Sequence, residues 1–147
     1  MLAAKVDDAA VGQVTSETYM AAIDTPENLA FIERWKKVHG NSEYPVPDYS
    51  IGKAYNMVHF LAAAIEKANS SDAGKIIAAW EGLTFKGVIG TQTMRACDHQ
   101  ILAPVAYTKI APGPTKYYSF ASPADVKQLP AEEAAVAHAD TGNPRCK

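Results

Sequence analysis

Apolar residues recur at helical spacing in the first half of the chain and predict three helices. The first predicted helix begins after Thr25, a suitable N-cap, with Pro26 at its first position. Gly40 follows its last residues and predicts a left-handed stop. The apolar stripe of this helix is expected to consist of Leu29, Phe31, Ile32, Trp35 and Val38.

The second predicted helix begins at about Ser50, after a loop over 41–48 that contains two prolines. Its centre is apolar on nearly every side, so we expect it to be the most buried helix, with His59 as a core histidine. Ser71 or Asp72 caps the third helix. The buried face of the second helix is expected to comprise Ile51, Ala54, Tyr55, Val58, Leu61, Ala62, Ile65 and Ala68.

Shorter apolar segments bounded by turn residues predict strands at both ends of the chain. The first covers 10–19, and the others cover 88–95, 101–110 and 117–120. One further turn of helix is expected within 130–137. Helices combined with strands in a chain of this size predict an α/β or α+β fold.

Size and charge restrict the class of protein. A chain of 147 residues has room for one core and not for two independent domains. The formal net charge of −2 argues against a nucleic-acid-binding protein, because such a protein presents a basic face. The longest apolar run, 57–65, contains His59 and is too short to cross a bilayer.

A cluster of reactive residue types, Cys97, Asp98 and His99, raises the question of catalysis or metal binding. Neighbours in a turn do not form a cysteine–histidine dyad, which requires convergence in space and a third, orienting group. No second cluster completes a tetrahedral zinc site, and the glycines at 87 and 90 lack a phosphate-loop pattern. We therefore expect no catalytic residue, no metal and no cofactor. Asp98 and Gln100 are expected to hydrogen-bond within a turn.

The two cysteines, Cys97 and Cys146, leave two alternatives open. An even number of cysteines favours a disulfide if the chain is secreted, and two free thiols are expected if it is cytosolic. A bridge would close a loop of roughly 50 residues and contribute on the order of 4 kcal/mol in the chain-entropy model. It would also hold the Ala- and Pro-rich tail, 121–147, against the rest of the molecule.

Three segments together resemble one known family. The first joins Gly12, Val14, Thr15 and Tyr19 to the run Asp24-Thr-Pro-Glu-Asn. The second is the helix start Asp48-Tyr-Ser-Ile-Gly-Lys-Ala-Tyr-Asn-Met-Val, in which Asn56 stands where the family usually has Asp. The third comprises Gly90, Met94, Arg95, Asp98, His99 and Gln100. These segments resemble the type I periplasmic solute-binding proteins of ABC importers, in the branched-chain amino-acid (Leu/Ile/Val-binding) group.

The resemblance covers almost the whole chain but only about the C-terminal third of such a protein. It implies a partial periplasmic-binding-protein-like α/β fold with Rossmann-like lobes, helices packed on a sheet, and a chain that crosses the hinge between two lobes. On this basis residues 1–20 form a lobe crossing, 21–90 the helices of lobe one, and 91–147 the return strands and a disulfide-tethered tail. The chain shows no leader, and we expect a start inside a longer, secreted chain.

The resemblance also implies a function. The chain is expected to be a non-enzymatic periplasmic receptor that binds a small carboxylated solute between the lobes and delivers it to an ABC permease in the inner membrane. A branched-chain amino acid is the default ligand, and an aromatic acid is an alternative. Tyr49 and Ser50 match family positions that line the cleft, and Tyr19 at the lobe crossing is a further candidate; the alternative for Tyr49 is a surface tyrosine beside a helix cap. The secreted family also favours the disulfide between Cys97 and Cys146.

Two other functions remain open at this point. The family's groups for the ligand's ammonium and carboxylate come from sequence outside this chain, so we expect the chain alone to bind an amino acid weakly. It could instead act as a self-associating interaction module, as a homo-oligomer that replaces the missing N-terminal half. The same lobes also serve as sensory ligand-binding domains.

Overall fold

A computed structural model of the protein describes residues 7–42 and 45–146. Four α-helices are present in that part of the chain: α1 (Pro26–His39), α2 (Tyr49–Ala68), α3 (Ala73–Trp80) and the single turn α4 (Ala131–Ala134). Short 3-10 helices lie at Asp7–Ala10, His138–Asp140 and Pro144–Cys146. The predicted first strand, 10–19, therefore overlaps the 3-10 helix at residue 10 only, and it is a strand only over Val14–Glu17.

Helix α1 begins as the sequence predicts and ends differently. The Thr25 side chain accepts a hydrogen bond from the backbone N–H of Asn28, and Pro26 occupies the first turn. Gly40 has a φ of −59°, which is right-handed, so the expected left-handed stop is wrong. Its N–H still bonds to the carbonyl of Lys36 at 2.9 Å, which continues the helical pattern by one residue.

The buried side of α1 is narrower than the predicted stripe. Phe31 and Ile32 are buried as expected, and Trp35 packs against the core. Leu29 and Val38 are exposed by 37% and 77%, whereas the uncharged polar residue Asn28 is fully buried.

Helix α2 buries a different face from the one predicted. Asp48 caps it by accepting from the N–H of Ile51 at 2.9 Å. Phe60 is fully buried because its ring lies 5.4 Å from that of Trp80 in α3 and 5.2 Å from that of Phe85. The buried line that follows from these contacts consists of Gly52, Asn56, Phe60 and Ala64.

Most of the apolar residues predicted to be buried on α2 lie at the surface instead, although Ile51 and Tyr55 are partly buried and pack against the core. Val58, Leu61 and Ile65 are exposed by 65%, 38% and 40%. His59 is also exposed, so the expected core histidine is wrong; its ring lies 4.4 Å from that of Tyr55. Periodicity identifies apolar positions, but the contacts of Phe60 decide which side of the helix faces the core.

The described strands form two antiparallel sheets. In the first, β1 (Val14–Glu17) pairs with β5 (Val105–Ala111), which also pairs with β6 (Ser122–Pro123) and β7 (Lys127–Leu129). In the second, β2 (Thr84–Gly87), β3 (Gly90–Met94) and β4 (Ile101–Leu102) follow one another. The mixed α/β class predicted from the sequence is confirmed.

Strand boundaries differ from the prediction at each turn. The expected strand at 88–95 begins two residues later, because Val88 and Ile89 form the turn between β2 and β3, and Gly90, with a φ of +102°, is the first residue of β3. The expected strand at 101–110 divides into β4 and β5, and 117–120 is not a strand. The predicted helical turn within 130–137 is confirmed as α4.

The core joins the segment after β1 to α1, to the segment after β2, and to β5. Its buried members are Tyr19, Met20, Ile23, Phe31, Val88, Ile89 and Ala106. A smaller cluster contains Ala21, Ile32 and Val46. Within the described part of the chain, no helix has both the length and the apolar character needed to cross a membrane.

Candidate functional site

The first turn of α2 presents the two side chains that the sequence singles out. Tyr49 is 52% exposed and Ser50 is also exposed, directly after the capping residue Asp48. The cap fixes the residue at which the helix begins, so Tyr49 and Ser50 occupy its first turn. The structure therefore brings Tyr49 and Ser50 together on an open surface.

A charged pair ties this turn to the end of β1. Lys53 Nζ lies 3.0 Å from Glu17 Oε2, and both side chains are partly exposed. The same nitrogen lies 4.9 Å from the centroid of the Tyr49 ring. An ammonium over an aromatic face is an attractive arrangement, which favours a defined position for the ring. The turn thus offers an aromatic ring, a hydroxyl group and a cation beside the strand.

Tyr19, the third candidate, lies beneath this surface. Its side chain is fully buried and its hydroxyl donates to Asn28 Oδ1 at 2.9 Å. Burial in the core raises the pKa of the Tyr19 phenol well above its ordinary value. The structure consequently does not place Tyr19 with Tyr49 and Ser50 at the surface, and it offers no exposed atom to a ligand in this conformation.

Gly52 allows α2 to lie directly on Tyr19. A β-carbon at this position would lie 2.2 Å from Cδ1 of the Tyr19 ring, a distance that heavy atoms do not adopt. The absence of a side chain at 52 therefore brings the helix backbone against the ring. Sequence reasoning did not identify this role, although Gly52 interrupts an otherwise strong helix-forming segment and was a usable signal.

A separate groove opens between α1, α2 and β2, with a volume of about 290 Å³. Glu27 and Lys86 form an ion pair of 3.0 Å at its wall, and the hydrogen bond from Lys86 holds the pKa of Glu27 below its ordinary value. Arg34 donates to the hydroxyl of Tyr55 at the same wall. Glu27 and Arg34 lie on α1 whereas Lys86 lies on β2, so no local spacing in the sequence could have revealed the groove.

The turn that contains Cys97, Asp98 and His99 is occupied by structural contacts. Arg95 binds the Asp98 carboxylate through two nitrogens, at 2.8 and 2.6 Å, and also donates to the carbonyl of Val136. Hydrogen bonds from Arg95 lower the pKa of Asp98 to about 2. As expected, Asp98 closes the turn by accepting from the N–H of Gln100 at 3.0 Å.

Cys97 and Cys146 are joined in a disulfide with their Cα atoms 5.0 Å apart, which confirms the expected pairing. Cys97, Asp98 and Cys146 have potential metal-binding atoms within 4.8 Å of one another. The bridge occupies both sulfurs, and Arg95 occupies the carboxylate. His99 lies 2.7 Å from Glu81. Among the described residues, this turn therefore contains no cysteine–histidine dyad, and its disulfide holds the tail.

Comparison with known proteins identifies related sequences and folds. A family model described as "Periplasmic binding protein" matches residues 1–115. An ABC-type branched-chain amino acid transporter protein from Rhodopseudomonas palustris is 26% identical, with a TM-score of 0.68 over 84% of this chain and 32% of its own. No curated protein matches the chain.

Two further solved structures show the same fold. A solute-binding protein of an ABC transporter from Rhodopseudomonas palustris, in complex with 3,4-dihydroxybenzoic acid, is 22% identical with a TM-score of 0.71, over 84% of this chain and 32% of its own. An ABC transporter substrate-binding protein from Sphaerobacter thermophilus is 20% identical with a TM-score of 0.73, over 87% and 33%. The chain therefore spans about a third of the length of the solved structures that it matches.

Proposed function

Because the chain belongs to the periplasmic binding protein family, we propose that it is the hinge-spanning part of the substrate-binding component of an ABC importer. In this role the protein catalyses no reaction. It holds a small carboxylated solute between two lobes and presents it to an inner-membrane permease from the periplasm. Closure of two lobes around a ligand is a general mechanism for such proteins.

The observation that carries this proposal is the exposed first turn of α2, with Tyr49 and Ser50 fixed beside the strand β1. Lys53 links the helix to Glu17 at the end of that strand. Tyr49 and Ser50 are proposed to contact the ligand directly. Tyr19 is proposed to act by positioning, since it supports α2 from below through the contact at Gly52.

The proposed division into lobes rests on the pairing of β1 with β5. In the register of these antiparallel strands, Val14 lies opposite Lys109 and Glu17 opposite Ala106. Two neighbouring strands that run in opposite directions suit an outward and a return crossing of one hinge. We propose that 1–20 contains the first crossing, 21–90 the helices of lobe one, and 91–147 the return and the tail.

The chemistry of Tyr49 supports the proposed ligand class. An aromatic ring suits the apolar part of a solute, whose burial contributes a few kcal/mol. Neighbouring structures are described as a branched-chain amino acid transporter protein and as a complex with 3,4-dihydroxybenzoic acid. We propose a branched-chain amino acid as the default ligand and an aromatic acid as the alternative.

Calorimetric titration of a two-lobed protein that contains this chain tests the proposal. The ligands are leucine, valine, 4-hydroxybenzoate and 3,4-dihydroxybenzoate. We expect saturable heat from one of the two chemical classes, and heat from none of the four would overturn the proposed ligands.

Tyr49 offers a matched pair of variants for the same titration. Y49A removes the ring and is expected to weaken binding by about 2 kcal/mol, a factor of roughly 30 in Kd. Y49F keeps the ring and is expected to bind within a few-fold of the unmodified protein. Equal affinities for Y49A and the unmodified protein would remove Tyr49 from the site.

A further inference from the structure

The groove between α1, α2 and β2 is a second concave surface, and the residues of the proposed solute site take no part in it. Its volume of about 290 Å³ is close to the lower end of the range for ligand pockets, roughly 300–1,000 Å³. Tyr49 and Ser50 lie in the first turn of α2, whereas Tyr55 and His59, from the next two turns, line the groove. The groove therefore has the size of a small-molecule site and lies apart from the proposed solute site.

One cation in the groove is held in place but is not neutralised. Arg34, on α1, donates from Nη2 to the hydroxyl of Tyr55, and its Cζ lies 5.7 Å from the centroid of the Tyr55 ring. Within residues 7–42 and 45–146, no carboxylate forms an ion pair with Arg34. Because a guanidinium group has five N–H donors in one plane, most of its donors remain available to a ligand.

Tyr55 is a rigid support for this cation. Its ring stacks on that of Phe31, with centroids 4.1 Å apart and an angle of 17° between the ring planes. The ring of His59 lies 4.4 Å from it. Since Phe31 is buried in the core, Tyr55 is anchored through its ring and holds Arg34 through its hydroxyl. A guanidinium that is positioned in advance loses less conformational freedom when it binds an anion.

The charges that line the groove leave it positive. Lys86 Nζ pairs with Glu27 Oε1 at 3.0 Å, and the Lys86 side chain is still 67% exposed. This pair is neutral as a unit, so Arg34 gives the groove a net positive charge, although the whole chain has a net charge of −2. A local positive charge in a concave surface favours an anionic ligand.

Two buried oxygens of lining residues, Glu27 Oε2 and Asn56 Oδ1, have no hydrogen-bond partner among the described residues. Both atoms are shielded from solvent, so a ligand in the groove does not reach them. Arg34 and Lys86 are exposed, whereas the Glu27 side chain is only 29% exposed. The charged groups that a ligand contacts most readily are therefore the two cations.

We infer that this groove is a binding site for a small organic carboxylate with an apolar body. Arg34 binds the carboxylate through two nitrogens, because the planar guanidinium matches the two oxygens. Lys86 provides a second cation beside it, and the apolar body lies against Ala30 and Phe85. The site is distinct from the proposed solute site, so the inference does not depend on the proposed function.

Titration of the 147-residue chain with sodium benzoate, followed by ¹⁵N–¹H NMR, tests the inference. Benzoate combines a carboxylate with an apolar ring, and benzamide is a neutral molecule of the same shape. We expect saturable shifts at the backbone N–H groups of Ala30 and Gly87, with half-saturation on the order of 1–10 mM for a ligand of this size. Benzamide should bind at least about tenfold more weakly, because it cannot form the charged pair.

Charge variants on α1 separate a specific contact from general attraction. R34Q removes the guanidinium and is expected to weaken benzoate binding at least about tenfold. R34K keeps the charge without the planar fork, and its affinity should fall between those of R34Q and the unmodified chain. The matched control is K37Q, which removes one positive charge from an exposed position on the same helix outside the groove. It should change the affinity by less than about twofold, because salt screens the distant charge.

E27Q is expected to change the affinity in the opposite direction. Loss of the Glu27 charge releases Lys86 from its ion pair and makes the groove more positive. Benzoate should therefore bind roughly two- to fivefold more tightly. Loss of a residue that only supports the fold would not strengthen binding, and circular dichroism shows whether each variant keeps the fold.

Several outcomes would overturn the inference. One is the absence of saturable shifts with benzoate, and another is equal binding of benzoate and benzamide, which would reduce the groove to an apolar contact. Unchanged affinity in R34Q, or a loss in K37Q as large as that in R34Q, would remove Arg34 from the site. Saturation by inorganic phosphate at the same concentration as benzoate would contradict a site for a carboxylate with an apolar body.

Discussion

Asn28 is a buried polar residue whose side chain joins α1 to the segment before it. Its Nδ2 donates to the carbonyls of Ala21 and Ile23, at 3.1 and 2.7 Å, and its Oδ1 accepts from the hydroxyl of Tyr19. Every polar atom of this side chain therefore has a partner at zero exposure. A buried amide with complete partners specifies one conformation of the backbone around it.

N28A is expected to destabilise the protein by about 2–4 kcal/mol, because it leaves the Tyr19 hydroxyl and two carbonyls buried without partners. Urea unfolding followed by circular dichroism measures the change. The control is N41A at an exposed position, expected to change stability by less than about 0.5 kcal/mol. A loss for N28A no larger than that for N41A would contradict the role assigned to Asn28.

The Arg95–Asp98 pair gives the fold a dependence on acid pH. Their side chains are exposed by only 6% and 16%, and Arg95 holds the pKa of Asp98 at about 2 instead of 3.8. A carboxyl whose pKa is lower in the folded state stabilises that state above the unfolded pKa. This contribution is therefore complete above about pH 4 and is lost as the pH falls towards 2.

D98N is expected to unfold at a lower temperature than the unmodified protein at pH 7, and the difference should shrink between pH 4 and pH 2. Thermal unfolding at a series of pH values measures both effects. D140N, at an exposed position, is the control and should leave the midpoint at pH 7 nearly unchanged. A constant difference between D98N and the unmodified protein across this range would contradict the linkage.

Helix α2 is the element on which the candidate site depends. Its start is set by the Asp48 cap, its height above the core by Gly52 against Tyr19, and its rotation by Phe60 between Trp80 and Phe85. Of these contacts, only the Asp48 cap is made between residues that are close in sequence. The position of Tyr49 and Ser50 thus depends on contacts that are made by remote residues.

G52A tests the close approach of α2 to Tyr19. Alanine improves helix propensity by about 1 kcal/mol, but overpacking against a buried ring costs typically about 1–3 kcal/mol. We expect a net loss of stability in urea unfolding, and a weaker affinity in the two-lobed protein because Tyr49 shifts with the helix. A G52A protein of equal or greater stability would show that the ring moves aside freely.

At the scale of the whole molecule, the disulfide joins the tail to the body of the protein. Arg145 and Asn143 add hydrogen bonds from the tail to the carbonyls of Ala96 and Cys97, at 3.1 and 3.4 Å. The bridged cysteines are 49 residues apart in sequence. The tail strands β6 and β7 pair with β5, which also pairs with the strand β1.

Removal of the bridge in the double variant C97S/C146S is expected to cost up to about 4 kcal/mol in the chain-entropy model. Hydrogen exchange should accelerate at 138–146 and change little in α1. Intact mass before and after reduction checks the bridge itself, since the oxidised protein is lighter by two hydrogen atoms. Unchanged exchange in the tail of the double variant would show that the hydrogen bonds alone hold it.

Helix starts were predictable because their causes lie within a few residues of one another. Thr25, Asp48 and Asp72 each accept a hydrogen bond from an N–H three residues along the chain, so residue type and spacing suffice. The hairpin between β2 and β3 was predicted only in part, because its first strand, Thr84–Gly87, carries no clear alternation. The pairing of β1 with β5 joins residues 89 to 95 positions apart and had no local signal.

The sequence by itself determined the class of fold, the helix caps, the cysteine pairing expected of the family, and Tyr49 and Ser50 as candidates. Tertiary structure alone decided that Tyr19 is buried, that His59 is exposed, and that α2 turns Phe60 inward and its aliphatic stripe outward. The period of apolar residues along the sequence identifies the apolar positions of α2. It does not indicate which of two apolar faces of the helix is buried. The choice between them is made by the rings of Trp80 and Phe85, which reach α2 only when the chain has folded.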